Sequence, residues 1–219
     1  MILWVLLFIG IVIISFILAL RSMRDYQEIP RSVSYGLFLI RKPQELSGVF
    51  NLLSDEYLKA GQLLSFERLF KGSKSALVMF GPISLPKTAG QLDLLELEDY
   101  TDVDPAHIAI WEMGIREEGK WEKIFNTIPP LLNDDQIWWQ VVLSSALQPQ
   151  IKVVVLSKET SRRENLSKTI ENLAPDQLFR LPKGFTNAQL LDFYQKRSFK
   201  NDSYSNNLTW EEVLKLIVI

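Results

Sequence analysis

The chain has 219 residues, enough to bury a full core as one domain or two small ones, and a formal charge of −2 that gives no bulk attraction to nucleic acid. It has no cysteine and one histidine, which excludes a disulfide framework and leaves a zinc site without its further His or Cys ligands. Charge is unevenly spread: residues 89–136 hold twelve acidic and three basic side chains, whereas residues 147–219 hold eleven basic and eight acidic.

The chain opens on nineteen residues without a charge, Ile2 to Leu20. As a helix they rise about 28 Å, which matches a bilayer's hydrocarbon core. No basic residue precedes the run and no small-residue cleavage site follows it, so the sequence predicts an uncleaved anchor over 1–24. Trp4, Phe8 and Phe16 supply its aromatic positions, and Arg21 and Arg24 its basic flank. Because the basic residues all follow the span, the expected location is the inner membrane in a single pass, with the N-terminus outside and the remainder cytoplasmic. Residues 25–34, with Pro30, read as a juxtamembrane linker.

The expected fold class is α+β: the anchor, a mixed or antiparallel sheet with helices over 35–158, and a helical C-terminal region over 159–219. "YGLFLIR" reads as a strand closed by Pro43. Leu46, Val49, Phe50, Leu53 and Tyr57 follow a helical period that Gly61 stops, and "QLLSFERLF" extends the helical pattern to Gly72. "SALVMFGP" suits a buried strand. "LDLLELEDY" alternates, with Leu95 and Leu97 on one side and Glu96 and Glu98 on the other. "HIAIWEMGI" is a further strand, "KWEKIFNTIPPLL" a helix, and "DQIWWQVVLSSA" and "QIKVVVLS" the last two strands. This order is consistent with a doubled βαβ arrangement of ferredoxin type. In the second of these runs Trp138 and Trp139 are adjacent on one strand, which sends one indole to each face of the sheet.

Three capping boxes mark the helices of the last third: Ser161 with Glu164, Thr186 with Gln189, and Thr209 with Glu212. The final "EEVLKLIVI" ends on apolar residues with no Gly or Asn stop. That end either docks into a partner, with Trp210, Leu214 and Ile217 as its contacts, or leads into a longer polypeptide.

Chemical motifs are few. "GPISLPKTAG" lacks the glycine spacing of a phosphate loop before Lys87, so this chain is not expected to hydrolyse ATP. Asp99, Asp102 and Asp104 in "DYTDVD" lack the central Gly and closing Glu of a calcium loop. His107 has no nucleophile elbow to serve. No cofactor, metal or small-molecule site is legible. The acidic stretch Glu96, Glu98, Asp99, Asp102 and Asp104 is the candidate partner-binding face.

"ALVMFGP", "LDLLELEDY" and "DDQIWWQVVLSSA", in that order, resemble the N-terminal, pre-ATPase region of membrane-associated conjugative or type IV secretion ATPases over about residues 35–150. The matching positions are Glu96, Asp99 and Tyr100 at a strand end and Gln136, Trp138 and Gln140 in a later strand. The family's ATPase lies downstream of this region, so the resemblance implies an anchoring and assembly role with a P-loop ATPase as partner, and carries over no catalytic residue. Three expectations follow. The chain is a membrane-anchored cytoplasmic interaction module of a secretion, pilus or DNA-transfer machine, a scaffold of another envelope system, or an enzyme whose site gathers Glu96, Glu98 and Glu112.

Overall fold

Eight strands of the computed structural model pair into one sheet in the order β4-β1-β3-β2-β6-β7-β5-β8. The structure describes residues 33–115, 125, 128–144, 149–173, 178–182, 184–198 and 210–217. The strands are β1 (Tyr35–Ile40), β2 (Leu64–Lys71), β3 (Lys74–Pro82), β4 (Leu94–Leu97), β5 (Ile108–Ile115), β6 (Gln136–Leu143), β7 (Gln150–Leu156) and β8 (Leu178–Arg180). Five helices accompany them: α1 (Leu46–Leu53), the single turn α2 (Leu85–Thr88), α3 (Thr160–Glu171), α4 (Asn187–Gln195) and α5 (Trp210–Ile217). Every strand pairing is antiparallel.

Within this sheet the first four strands and the last four follow the same order. Counted from the outer edges, β4-β1-β3-β2 and β8-β5-β7-β6 are each fourth-first-third-second, and they meet where β2 pairs with β6. The expected fold is corrected on this point. Instead of a sheet completed by residue 158 and a helical region after it, the last third supplies β8, which pairs with β5. Helices α3, α4 and α5 are present there, but they do not form a separate helical layer, because α4 lies on the opposite face from α3 and α5.

The first face of the sheet carries the larger core. Phe66 of β2, Trp139, Val141 and Leu143 of β6, and Val153 and Val155 of β7 pack there. They meet Val49, Phe50 and Leu53 of α1, Leu166 and Ile170 of α3, and Val213, Leu216 and Ile217 of α5. The second face has a smaller cluster, Ile108, Ile110, Trp138 and Val154 under Leu190, Leu191 and Tyr194 of α4. Trp138 and Trp139 thus enter opposite cores, as strand alternation requires.

"QLLSFERLF" is strand β2 rather than more helix. The helix passes through a π-turn at Ser54–Leu58, and Gly61 then turns the chain with φ 76, a left-handed conformation that costs glycine little. Beyond it, Leu64 and Phe66 face one core while Ser65 and Glu67 face the other side. All four are buried, and the apolar-polar alternation they set breaks at Arg68 and Leu69, where the polar residue falls on the first face and the apolar one on the second. Gly72, at φ 57, makes the tight turn into β3, where Lys71 is already paired with Lys74.

Of the three capping boxes, Thr186 closes as expected. Its hydroxyl accepts from the Gln189 amide while the Gln189 side chain takes the Thr186 amide. Helix α3 starts one residue before Ser161, with Glu159 at the N-cap, and Ser161 donates to Glu159 instead. Thr209 lies outside the described residues, as does most of the helix expected at "KWEKIFNTIPPLL".

Among the described residues no helix is long and apolar enough to cross a membrane. This corrects the expected single-pass inner-membrane placement. The anchor read at 1–24, with Trp4, Phe8, Phe16, Arg21 and Arg24, and all of the linker but its last two residues lie outside the described residues.

Candidate functional site

One polar row crosses the second face of the sheet. Glu112 of β5 is paired with Lys152 of β7, Lys152 with Gln140 of β6, and Gln140 with Glu67 of β2, so four adjacent strands place a polar residue at the same level. Glu67 is 0 % exposed. Burying a carboxylate is costly unless its lone pairs are filled, and here they are. Its Oε1 accepts from Ser65 Oγ at 3.2 Å, Gln140 Nε2 at 3.1 Å and Arg197 Nε at 3.0 Å, and its Oε2 accepts from the Tyr100 hydroxyl.

Arg197 reaches Glu67 from just beyond α4. The helix ends in a Schellman motif: the Arg197 amide donates to the Tyr194 carbonyl at 3.0 Å and the Ser198 amide to the Phe193 carbonyl at 3.1 Å. The left-handed position of that motif usually belongs to glycine, yet Arg197 occupies it at φ 49. Its guanidinium lies between two carboxylates, with Nη1 donating to Asp99 Oδ2 at 2.6 Å and Nε to Glu67, and it stacks over Phe80 at 4.9 Å. Burial opposes the charge on Arg197. Glu67 and Asp99 more than offset this and raise its hold on the proton.

The neighbours complete the seal. The Tyr100 and Tyr194 hydroxyls are 3.0 Å apart, and burial followed by the charge of Glu67 pushes both phenols well above their usual range. Gln195 Nε2 donates to the Thr101 carbonyl at 2.9 Å. For Asp99, burial pushes its carboxyl up, but hydrogen bonds from Arg197 and Thr101 outweigh it and hold the group below its usual value. Lys152, 1 % exposed, donates from Nζ to the Ser198 carbonyl at 2.7 Å. Burial lowers it to about 8, against the opposing pull of Glu112 and Glu67. This network ties α4 and the segment after β4 to the sheet. Glu67 and Lys152 have no surface through which to meet a substrate.

The residues expected at the site divide. Asp99 turns inward to Arg197. Asp104 caps a short 3-10 turn through the Ala106 amide at 2.9 Å and lies 3.6 Å from His107 Nδ1. Glu96, Glu98 and Asp102 stay exposed, close together in sequence at the end of β4 and just after it. Ile217 is buried in the larger core and Leu214 packs against it, so the structure directs both inward rather than to a partner; the Trp210 side chain lies outside the described residues. Glu112 is six strands from β4, so it does not gather with Glu96 and Glu98. Among the described residues no group of three His, Cys, Asp or Glu side chains is placed to hold a metal ion.

Sequence reasoning missed Glu67, Lys152 and Arg197, and singled out Gln140 only as a matching position of the resemblance. The available signal was a polar residue enclosed by apolar ones on a strand, Gln140 in "WWQVVL" and Lys152 in "IKVVV", with Glu67 beside Arg68 in "FERLF" a weaker case. Compared with known proteins, the chain matches no family model and no curated protein.

At the opposite edge from β8, strand β4 is four residues long and, among the described residues, pairs only with β1. Leu95 is 51 % exposed there, between the exposed carboxylates Asp93 and Glu96. Asp93 is paired with Arg41 at 3.6 Å. Among the described residues this edge combines exposed apolar surface, the carboxylates Glu96 and Glu98 with no ion pair, and a strand with one neighbour.

Proposed function

We propose that the chain is an interaction and assembly module that holds a protein partner at the β4 edge and the acidic segment following it. The observation that supports this reading is the division of its charged groups. Of those with chemical potential, Glu67 and Arg197 are buried and ion-paired with each other and Lys152 is buried with its ammonium on the Ser198 carbonyl, while Glu96, Glu98 and Asp102 stand exposed near Leu95. Catalysis needs groups that touch a substrate, whereas docking needs an exposed apolar anchor with charge around it.

The resemblance of residues 35–150 to a pre-ATPase region names the partner: a P-loop ATPase of a secretion, pilus or DNA-transfer machine. The test is a pull-down of the full-length chain, tagged at the N-terminus, with mass spectrometry of what it retains. Recovery of a P-loop ATPase that is lost when Glu96, Glu98 and Asp102 are changed to Lys supports the proposal. Recovery of the chain alone overturns the machine reading and leaves a self-assembling scaffold.

A further inference from the structure

Arg68 stands on the first face of the sheet between two apolar partners in register, Leu77 of β3 and Trp139 of β6. Among the described residues Arg41, Arg162, Arg180 and Arg197 are each paired with a carboxylate, and Arg163 donates to the Ser157 carbonyl. Arg68 has neither. Its Nη2 reaches the Ser75 hydroxyl only at 3.4 Å, beyond the usual range for such a bond, and its Nε is buried without an acceptor. Burial lowers its hold on the proton, and no carboxylate among the described residues opposes this.

A second unmet donor lies across the strand pairing. Trp139 is 2 % exposed and directly opposite Arg68, and its Nε1 is buried without an acceptor. Aromatic contacts close the pair into one cluster. Arg68 sits 5.8 Å from the centre of the Phe70 ring, Phe70 lies 5.6 Å from Phe125, and Phe125 lies 5.4 Å from Trp139. The cluster is thus aromatic, with one positive charge and two N–H groups that meet no acceptor among the described residues. Trp111 Nε1 is also without an acceptor, but the cation over its ring, Arg180, is paired with Glu171, so no free charge accompanies it. A buried donor left unmet is costly, and two beside an unpaired cation call for an acceptor that carries negative charge.

We infer that this cluster binds a carboxylate borne on an apolar body, with its two oxygens on Arg68 Nε and Nη2 and the Trp139 indole N–H as a further donor. The fork of a guanidinium matches both oxygens of a carboxylate at once. One cation balances a monoanion, whereas a phosphate dianion would leave excess negative charge among half-buried aromatic side chains. Phe70 and Phe125 supply the wall for the apolar body. Entry is from the side of Ser75, which is exposed, and of Phe70, which is half-buried. Strands β1 and β3 stand between β2 and β4, so this site is separate from the β4 edge and does not rest on the docking reading. A free small acid and the C-terminal carboxylate of a polypeptide present the same chemistry.

The probe is phenylacetate, titrated into the full-length chain by calorimetry, with phenylacetamide as its neutral counterpart and inorganic phosphate as the dianion. The indole N–H resonances of nitrogen-labelled protein are recorded in parallel, and Trp139→Phe assigns the one that belongs to Trp139. Acetyl-Gly-Gly-Phe, with a free or an amidated C-terminus, represents the polypeptide source. An acid is expected to bind and to shift the Trp139 resonance, while the amides and phosphate do neither. Arg68→Met should weaken binding about tenfold or more, the loss of one charge-assisted hydrogen bond. Trp139→Phe should weaken it as well, and Arg68→Lys, which keeps the charge without the fork, should not restore it. If Arg68→Met fails to fold, Arg68→Lys and the comparison of acid with amide decide.

Binding of phenylacetate assigns the site to a small acid, and binding of the peptide acid alone assigns it to a polypeptide terminus; both support the inference. Equal binding of acid and amide, preference for phosphate, an unmoved Trp139 resonance, binding undiminished by the Arg68 and Trp139 variants, or no binding of either acid overturns it.

Discussion

Replacing Arg197 by Met tests the buried network most directly. The substitution keeps the aliphatic stem and the left-handed backbone position, so the strain of φ 49 is carried equally by both proteins and cancels. What changes is Glu67, which loses its ion pair with Arg197 at 3.0 Å while remaining fully buried. Breaking a buried pair by removing one partner costs about 3–5 kcal/mol, because the remaining charge is uncompensated. Asp99 loses the same cation but is half exposed and falls back on water, so it adds little. We expect Arg197→Met to lose about 3–5 kcal/mol in urea unfolding followed by tryptophan fluorescence, with Trp138 reporting because it packs on Tyr100 and Tyr194. Glu67→Gln in the Arg197→Met background should recover about 2 kcal/mol of that loss, since it removes the orphaned charge. A loss under about 1 kcal/mol, or strict additivity of the two substitutions, would refute the claim that Glu67 depends on Arg197.

Lys152 gives a pH signature of definite sign. Its folded pKa of about 8 lies below its unfolded value, so between these values the unfolded chain binds the extra proton and stability rises with pH. Relative to Lys152→Met, wild-type stability should climb by about 3 kcal/mol from pH 8 upward, measured by urea midpoints. Above about pH 10 the buried phenols of Tyr100 and Tyr194 lower the stability of both proteins, because they stay protonated when folded and ionise when unfolded, and they cancel in the comparison. An identical pH profile for wild type and variant would remove Lys152 from the account. In the larger core, a Cβ at Gly81 meets Leu85 Cδ1 at 2.5 Å and Leu64 Cδ2 at 2.8 Å, and both leucines are buried. Gly81→Ala should therefore cost about 1–3 kcal/mol by overpacking, and a neutral result in thermal unfolding would show that the two leucines repack freely.

The strands and helices that stand alone were legible because one local signal sufficed. Trp138 and Trp139 follow from strand alternation, and Thr186 with Gln189 from the reach of two side chains to two amides. Strand β2 was not legible, because its apolar-polar alternation holds only from Leu64 to Glu67 and breaks at Arg68 and Leu69, which leaves apolar spacings that also fit a helix. The site failed for a different reason. Glu96 to Asp104 reads as one acidic stretch, but in three dimensions it divides, since Asp99 turns in to a cation 98 positions later and its neighbours turn out. No local pattern connects Glu67 to Arg197, or reveals that Leu178–Arg180 is the strand that completes the second half of the sheet. The repeated strand order of the two halves is likewise a property of topology with no matching sequence period.

The 130 positions between Glu67 and Arg197 also bear on how the molecule is made. At a synthesis rate of about 5–20 residues per second, roughly 6–26 s separate the emergence of the two residues from a ribosome. During that interval strand β2 can pair with β3, but its carboxylate has no cation and its second face has no helix. The nascent sheet is thus held open at its centre until the residues after α4 arrive, so final closure is a late, long-range event of the kind that makes folding slow.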